Sequence, residues 1–235
     1  MRGCRYALYF APSPQSPWWD AGCRWLGRDA ARGVECTQPK VAGVAPEVLR
    51  QLTANARRYG FHATLKAPFR LADGVTETEL IALAEAFCAT QAPVVLQDVR
   101  VRALGTFLSL RPTGTSDAID ALAFRCVRHF DALRAPLDAN ELAKRRRAPL
   151  IARQEALLEQ WGYPYVDGEF RFHMTLTDSL AHLDAAAADS LRRAAEEHFL
   201  APSAIEPLRV DALAIFREEK AGAPLSLWRR IEFTG

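Results

Sequence analysis

The chain has 235 residues, of which 49% are hydrophobic and 25% are charged, and its formal net charge is +2. A chain of this length can bury a substantial core, and its composition is that of an ordinary globular protein rather than a disordered or fibrous one. So small a net charge gives no support to a duplex-binding surface, although it leaves room for a local cationic pocket.

The sequence contains no apolar run long enough to cross a bilayer, and its first residues have too short an apolar stretch for a signal peptide. Five cysteines, an odd number with no Cys-x-x-Cys pair, favour reduced thiols over disulfides or a zinc site. We therefore expect a cytoplasmic protein without membrane contact.

The first third of the chain predicts a strand, an irregular segment and a helix. Arg5 to Pro12 is aromatic and aliphatic and predicts a strand. The Trp-, Pro- and Gly-rich segment that follows predicts a loop or short helix on the substrate side. Ala45 to Arg58 has helical spacing, and Tyr59-Gly60 ends that helix.

From residue 61 onward the chain repeats one order of elements: strand, helix, strand, strand. The first copy has a strand from Phe61 to Leu71, a helix introduced by a capping-box threonine, and two strands joined at Gly105. In the second copy the strand runs from Phe170 to Leu180 and the helix from Asp184 to Phe199, followed by the strands PLRVDALAIF and LSLWRRIEF. This pattern indicates an internal duplication at the scale of a domain.

Two helical patterns, Ser116 to Leu133 and about Ala139 to Trp161, lie between the copies. The second contains four adjacent cations, Lys144 to Arg147. Adjacent positions on a helix point to different sides, so most of these cations belong to a solvated face, and one or two can reach a cleft.

Each copy begins with the same phrase, Phe-His-x-Thr-Leu. Since side chains at i and i+2 of a strand share a face, His62 projects with Thr64, and His173 with Thr175. Two residues further along each predicted strand, Lys66 would share a face with His62 and Thr64, and Thr177 would share a face with His173 and Thr175.

Two His-Thr pairs facing one another suit in-line displacement at phosphorus. Histidine both accepts and donates a proton near neutral pH, so one imidazole can remove a proton while the other supplies one. Threonine hydroxyls can stabilise the non-bridging oxygens. The arrangement requires no metal or other cofactor, and the sequence has no His-Glu-x-x-His motif.

Several neighbouring residues have two interpretations. Lys66 is either a phosphate contact or a solvated strand residue. Tyr59, Arg57 and Arg58 could line the entrance of the cleft. The two arginines have a second interpretation, since cations at the end of a helix complement its dipole. The tryptophans of the irregular segment either stack on a base or sugar or hold the loop by packing; they are Trp18, Trp19 and Trp25.

The two motifs resemble those of the two-histidine phosphoesterase superfamily, which includes RNA 2′,3′-cyclic phosphodiesterases and 2′,5′ RNA ligase-like proteins. The longer strings RYGFHATLKAPFRL and LLEQWGYPYVDGEFRFHMTLT resemble one branch, the phosphonate metabolism proteins. The resemblance implies an α+β, bilobal fold with two antiparallel sheets around a pseudo-twofold cleft. It also implies two catalytic histidines, His62 and His173, and two phosphate-binding threonines, Thr64 and Thr175.

We accordingly expect a single bilobal domain over residues 1–235. Its first motif region covers about 59–112, its helical connection about 116–162, and its second motif region about 169–235. These three segments account for most of the chain.

The leading hypothesis is a metal-independent hydrolase, acting as a monomer on a cyclic phosphodiester. The substrate would be a 2′,3′-cyclic nucleotide, an RNA terminus or a ribosyl cyclic phosphate. The alternatives are a non-catalytic module that binds phosphate esters or RNA ends, and an RNA ligase-like processing protein. The sequence alone does not assign which histidine is the base.

Overall fold

The computed structural model describes residues 4–114 and 117–235, and within them the fold is α+β, as the sequence predicts. The strands are β1 (Arg5–Phe10), β2 (Arg28–Asp29), β3 (Val34–Glu35), β4 (Ala63–Phe69), β5 (Val94–Val95), β6 (Val99–Leu104), β7 (Phe107–Pro112), β8 (Met174–Thr175), β9 (Arg209–Val210), β10 (Ala212–Glu218) and β11 (Ser226–Glu232). The helices are α1 (Pro17–Leu26), α2 (Pro46–Leu52), α3 (Ala54–Tyr59), α4 (Glu77–Cys88), α5 (Asp117–His129), α6 (Ala139–Arg145), α7 (Ala152–Trp161) and α8 (Ala185–Ile205).

Among the described residues, the main sheet has seven antiparallel strands in the order β11-β10-β1-β4-β8-β7-β6. The two sheets expected from the sequence are therefore continuous. The motif strands β4 and β8 are neighbours, paired at Ala63 and Met174, and this pairing joins the two halves. Two small two-stranded sheets, β2-β3 and β5-β9, lie apart from it.

In the sheet, each motif strand lies in the same half as the hairpin of the other copy, so the hairpins are exchanged between the copies. Motif strand β4 lies in the half that contains the C-terminal hairpin β10-β11, whereas β8 lies beside the hairpin β6-β7 of the first copy. Helix α4 likewise packs on β10 and β11, and α8 packs on β6. Each half of the sheet thus combines both copies, and neither half corresponds to the contiguous segment 59–112 or 169–235.

Several helices differ from the predicted bounds for local reasons. The expected helix over residues 45–58 is divided at Thr53, whose hydroxyl bonds back to the Leu49 carbonyl at 3.0 Å, a contact that bends helices. The pattern from Ala139 to Trp161 is also two helices, α6 and α7, separated by a segment that contains Pro149. The expected start of α5, Ser116, lies outside the described residues.

The Trp-rich segment forms a ten-residue helix, α1, capped by the Ser16 hydroxyl and ended by left-handed Gly27. Its three tryptophans are at most 2% exposed. The indole N–H of Trp25 donates to the Leu176 carbonyl at 3.0 Å, and that of Trp18 donates to the Glu206 carbonyl at 3.1 Å. Of the two interpretations of these tryptophans, the structure supports packing, because their rings are not available to stack on a ligand.

Within the described ranges, no helix combines the length and apolar character needed to cross a membrane. In the same ranges all five cysteines are free thiols.

Candidate active site

The central pairing of the main sheet brings the two His-x-Thr motifs together. Because β4 and β8 are antiparallel and Ala63 pairs with Met174, the same register places His62 opposite Thr175 and Thr64 opposite His173. Directly opposite residues have Cβ atoms about 5 Å apart, and the backbones of diagonal residues, here His62 and His173, are about 7–8 Å apart. All four side chains are half-buried and project from one face of the sheet.

The two histidines are held in the same way. Nδ1 of His62 lies 2.8 Å from the Gly60 carbonyl oxygen, and Nδ1 of His173 lies 2.7 Å from the Arg171 carbonyl oxygen. A carbonyl only accepts, so each Nδ1 carries the proton and donates it. Each Nε2 is then the unprotonated nitrogen, which can accept a proton and, once protonated, donate one.

The pKa of each imidazole lies below the ordinary histidine value. Burial, with a smaller contribution from repulsion by His173, lowers the pKa of His62 to about 4 against the opposing effect of the hydrogen bond to Gly60. Burial also lowers the pKa of His173, with a contribution from the charge of Arg111. The lowered pKa values favour the neutral form of both rings at pH 7.

Aromatic packing fixes the orientation of His62. Its ring stacks on Tyr9 of β1, with the ring centroids 3.8 Å apart and the planes at 22°. Tyr59 lies on another side at 6.2 Å. The preceding residue, Phe61, alternates to the core, is 0% exposed, and stacks on Phe199 at 5.9 Å. The phenylalanine of the motif thus anchors the chain behind the sheet while the histidine emerges in front.

A cavity of about 430 Å³ opens beside the motifs, and both Thr64 and His173 line it. Its other walls include Phe107, Tyr163, Tyr165, Phe170 and Arg171. Motif spacing did not identify these residues. For Tyr163, Tyr165 and Phe170, aromatic character and nearness to His173 in the sequence were the available signals. An apolar, aromatic wall beside polar groups is typical of a small-molecule site.

Thr64 and Thr175 differ in their hydrogen bonds. The Thr64 hydroxyl lies 3.3 Å from His62 Nε2 and donates to it when that nitrogen is unprotonated. Among the described residues, the Thr175 hydroxyl has no hydrogen-bond partner, and the residue is half-buried. It is therefore available to a ligand.

Lys66 does not reach the cleft, contrary to the interpretation of this residue as a phosphate contact. Thr64 pairs with Tyr9, but Lys66 pairs with Leu8, and this slip of one residue turns Lys66 to the opposite face of the sheet. Its side chain is 3% exposed, and its ammonium donates to the Val127 carbonyl at 3.1 Å and to the Asp131 carboxylate at 3.0 Å.

Thr177 is also turned away from the cleft. It is 1% exposed, and its hydroxyl accepts the Leu108 N–H at 2.9 Å. The predicted strand from Phe170 to Leu180 is in fact β8, of two residues, so the alternation that would align Thr177 with His173 does not extend to it. The third secondary candidate, Tyr59, does lie beside the motif, with the Arg58 guanidinium over its ring at 4.8 Å.

No group of three or more His, Cys, Asp or Glu side chains in the described part of the chain is arranged to hold a metal ion. The site consists instead of two imidazoles, two hydroxyls and an aromatic wall.

Two curated relatives match nearly the whole chain. One from Janthinobacterium sp. (strain Marseille) is 56% identical over 231 residues, which are 98% of this chain and 51% of the relative. Another from Laribacter hongkongensis (strain HLHK9) is 38% identical over 234 residues, which are 97% of this chain and 51% of the relative. Both bear the name ribose 1,5-bisphosphate phosphokinase PhnN, and the chain spans about half of their length.

Among solved structures, Usb1 of Kluyveromyces marxianus aligns over 96% of this chain and 97% of its own, at 13% identity and a TM-score of 0.35. The same protein with uridine monophosphate aligns at 12% identity and a TM-score of 0.32. TM-scores of this size do not establish a shared fold.

A family model described as protein of unknown function, DUF1045, matches residues 64–226. This match begins at the first motif threonine, includes the second motif, and covers more than half of the chain. The chain therefore belongs to the DUF1045 family.

Proposed function

We propose that the chain is a phosphoesterase that opens a cyclic phosphodiester by adding water, with His62 and His173 as the acid-base pair. The observation that carries this proposal is the antiparallel pairing of Ala63 with Met174, which puts the two motifs on one face. A phosphorus atom between the imidazoles would have an attacking oxygen on one side and a leaving oxygen on the other.

In the proposed reaction, Nε2 of one neutral imidazole accepts a proton from water as its oxygen bonds to phosphorus. Nε2–H of the other, protonated imidazole donates a proton to the ribose oxygen as the phosphorus–oxygen bond breaks. The product is a phosphate monoester with a free hydroxyl, and the two imidazoles have exchanged protonation states. A proton exchanged with water restores them, so the reaction as proposed requires no metal.

The pKa values favour His62 as the base. Burial holds the pKa of His62 at about 4, so this ring is neutral at nearly all working pH values. His173 is the acid in this assignment, since an anionic substrate beside it raises its pKa and keeps the proton in place. Thr64 and Thr175 supply hydroxyl donors to the non-bridging oxygens, whose charge grows in the transition state.

The names of the relatives are consistent with a ribose phosphate as substrate. A ribosyl 1,2-cyclic phosphate that carries a 5-phosphate would yield ribose 1,5-bisphosphate when the bond to O2 is hydrolysed. The sequence of this chain has no Gly-x-x-x-x-Gly-Lys-Ser/Thr loop for a nucleotide triphosphate. We therefore assign to this chain the hydrolytic step that precedes a kinase, within phosphonate metabolism, rather than the kinase reaction.

The test is the turnover of His62→Ala and His173→Ala on ribosyl 1,2-cyclic phosphate 5-phosphate and on 2′,3′-cyclic nucleotides. Each variant should lose at least a hundredfold in kcat, as expected when a positioned acid or base is removed. His182→Ala is the matched control, because that histidine is exposed and lies outside both motifs. Wild-type rates in either motif variant would refute the proposal.

The same panel separates the rival functions. Binding of these esters by the wild-type protein without any product would indicate a non-catalytic module. Strongly salt-dependent RNA binding with joining of RNA ends would indicate a ligase-like protein.

A further inference from the structure

A second cavity, of about 510 Å³, adjoins the motif face and is lined by cations. We call it the cationic pocket. Within the described residues it is lined by Arg5, Arg58, Arg70, Lys144 and Arg145, together with Tyr59, Pro68, Leu137, Glu141, Ala221 and Gly222. Five parts of the chain contribute to it, so its charge is a product of the fold and not of one basic run.

The cationic pocket lies on the same face of the sheet as His62. Arg5 and Tyr9 are four positions apart on β1 and share a face, and Tyr9 stacks on His62. Four positions correspond to about 13 Å along a strand. Tyr59 lies between the cationic pocket and His62, because it lines the pocket and its ring is 6.2 Å from that of His62.

Arg145 links this pocket to the cavity beside the motifs. Its guanidinium lies 4.7 Å from the centre of the Tyr163 ring, and Tyr163 lines the cavity that contains Thr64 and His173. A lining residue of one cavity is thus in contact with a lining residue of the other.

The base of the pocket is built around Glu218, whose side chain is fully buried. Its carboxylate accepts hydrogen bonds from both Arg5 and Arg58, and from the Gly222 N–H at 2.8 Å. Arg58 Nε also donates to the Gly222 carbonyl at 3.0 Å. One carboxylate therefore fixes two guanidiniums and neutralises only one of their charges.

The remaining charges also leave an excess of positive charge. Arg70 is paired with Glu141 at 3.1 Å. Lys144 and Arg145 have no acidic partner within 4.0 Å among the described residues. Fixed guanidiniums beside unpaired cations are well suited to binding a phosphate dianion.

We propose that the cationic pocket binds a phosphate monoester carried by the same molecule whose cyclic phosphodiester lies between His62 and His173. This inference rests on the proposed function and narrows its substrate to a small sugar with two phosphate groups. A cyclic nucleotide that carries no phosphate group beyond its cyclic phosphodiester would leave the cationic pocket without a ligand.

The test compares ribosyl 1,2-cyclic phosphate with and without a 5-phosphate, in the wild-type protein and in Arg145→Gln. Arg145 is chosen because removal of Arg5 or Arg58 would leave the buried Glu218 carboxylate short of a partner. Wild-type kcat/KM should be at least tenfold higher for the 5-phosphorylated substrate. Arg145→Gln should reduce that ratio roughly tenfold, which is what a charge-assisted hydrogen bond is worth.

Arg147→Gln is the matched control, because it removes one charge from the same run of four cations but is exposed and does not line the pocket. Its substrate ratio should equal that of the wild type. Equal kcat/KM for the two substrates in the wild-type protein, or equal substrate ratios in Arg145→Gln and wild type, would overturn the proposal.

A binding measurement separates this inference from the proposed function. Calorimetry with ribose 5-phosphate should show binding that persists in His62→Ala and weakens roughly tenfold in Arg145→Gln. If no cyclic ester is turned over, the proposed function fails, yet this result would still support the pocket as a phosphate site. No binding of ribose 5-phosphate by the wild-type protein would refute it.

Discussion

Gly60 is the residue at which the fold and the proposed chemistry are most directly coupled. It ends α3 with φ 82° and ψ 174°, in a region of backbone space that is essentially restricted to glycine. A Cβ added there would lie 2.6 Å from the Cβ of Ala30 and 3.2 Å from the ring of Phe216. The Gly60 carbonyl is also the acceptor that orients His62, at 2.8 Å.

We expect Gly60→Ala to lower the free energy of unfolding by about 2–6 kcal/mol. The backbone conformation contributes about 1–3 kcal/mol and the forced contact with buried neighbours about 1–3 kcal/mol. The control is Gly33→Ala, since Gly33 has φ 71° but nothing within 4 Å of an added Cβ. Gly33→Ala should lower the free energy of unfolding by about 1 kcal/mol, through the backbone conformation alone. Urea unfolding followed by circular dichroism measures both.

Gly60→Ala protein that remains folded should also lose turnover on a cyclic phosphodiester. The carbonyl of residue 60 would be displaced and would no longer hold the His62 ring. Adding Ala30→Gly to Gly60→Ala removes the nearest clashing atom and should recover part of the lost stability. If Gly60→Ala were no less stable than Gly33→Ala, the proposed steric conflict would be wrong. If it kept full turnover, the proposed role of this carbonyl would be wrong.

Three further predictions concern pH and individual side chains. Since the pKa of His62 is about 4 and that of His173 is also below its ordinary value, kcat/KM should be highest at mildly acidic pH and fall as rising pH deprotonates free His173. A plateau that extends above pH 8 would contradict the assignment of His173 as the acid. Lys66→Met should lower the free energy of unfolding by about 1–3 kcal/mol, through loss of its buried ion pair, and leave KM within about twofold; a large rise in KM would mean that the ammonium reaches substrate. Thr177→Val should cost about 1–3 kcal/mol because it leaves a buried N–H without an acceptor, whereas Thr175→Val should spare stability and reduce kcat; urea unfolding and steady-state kinetics distinguish the two results.

The lowered pKa of His62 also predicts how the stability of the protein depends on pH. The folded protein holds His62 neutral, whereas the unfolded chain protonates this residue near its ordinary pKa of 6.5. The free energy of unfolding is therefore at its full value above pH 6.5 and decreases as the pH falls toward 4. His62→Asn should make the curve flatter over that interval.

The order of elements could be predicted from the sequence because it depends on local patterns. The capping box at Thr76 and Glu79 predicted α4, and the alternation after Gly105 predicted β7. The helical character of the Trp-rich segment was less evident. Its Pro17 and Gly27, which suggested a loop, are the first residue and the C-cap of α1.

The positions of Lys66 and Thr177 could not be predicted, because each depends on contacts between distant parts of the chain. A one-residue slip against β1 reverses the direction of Lys66, and no feature of β4 itself indicates that slip. The limit of β8 is likewise determined by bonds from Leu176 and Thr177 to Leu108, which is nearly seventy residues earlier. The cationic pocket has the same origin, since it is assembled from five separate segments.

The exchange of hairpins between the two copies bears on the order in which the molecule can be assembled. Strand β1 is central in its half of the sheet, between β4 and β10, and Arg5 meets Glu218 across 213 positions of the chain. Because β1 precedes β10 and β11 in the chain, it has an exposed edge until that hairpin has emerged from the ribosome. Contacts at such sequence separation make folding slow, and a ribosome-bound chain stalled before residue 212 should still have β1 open to proteolysis.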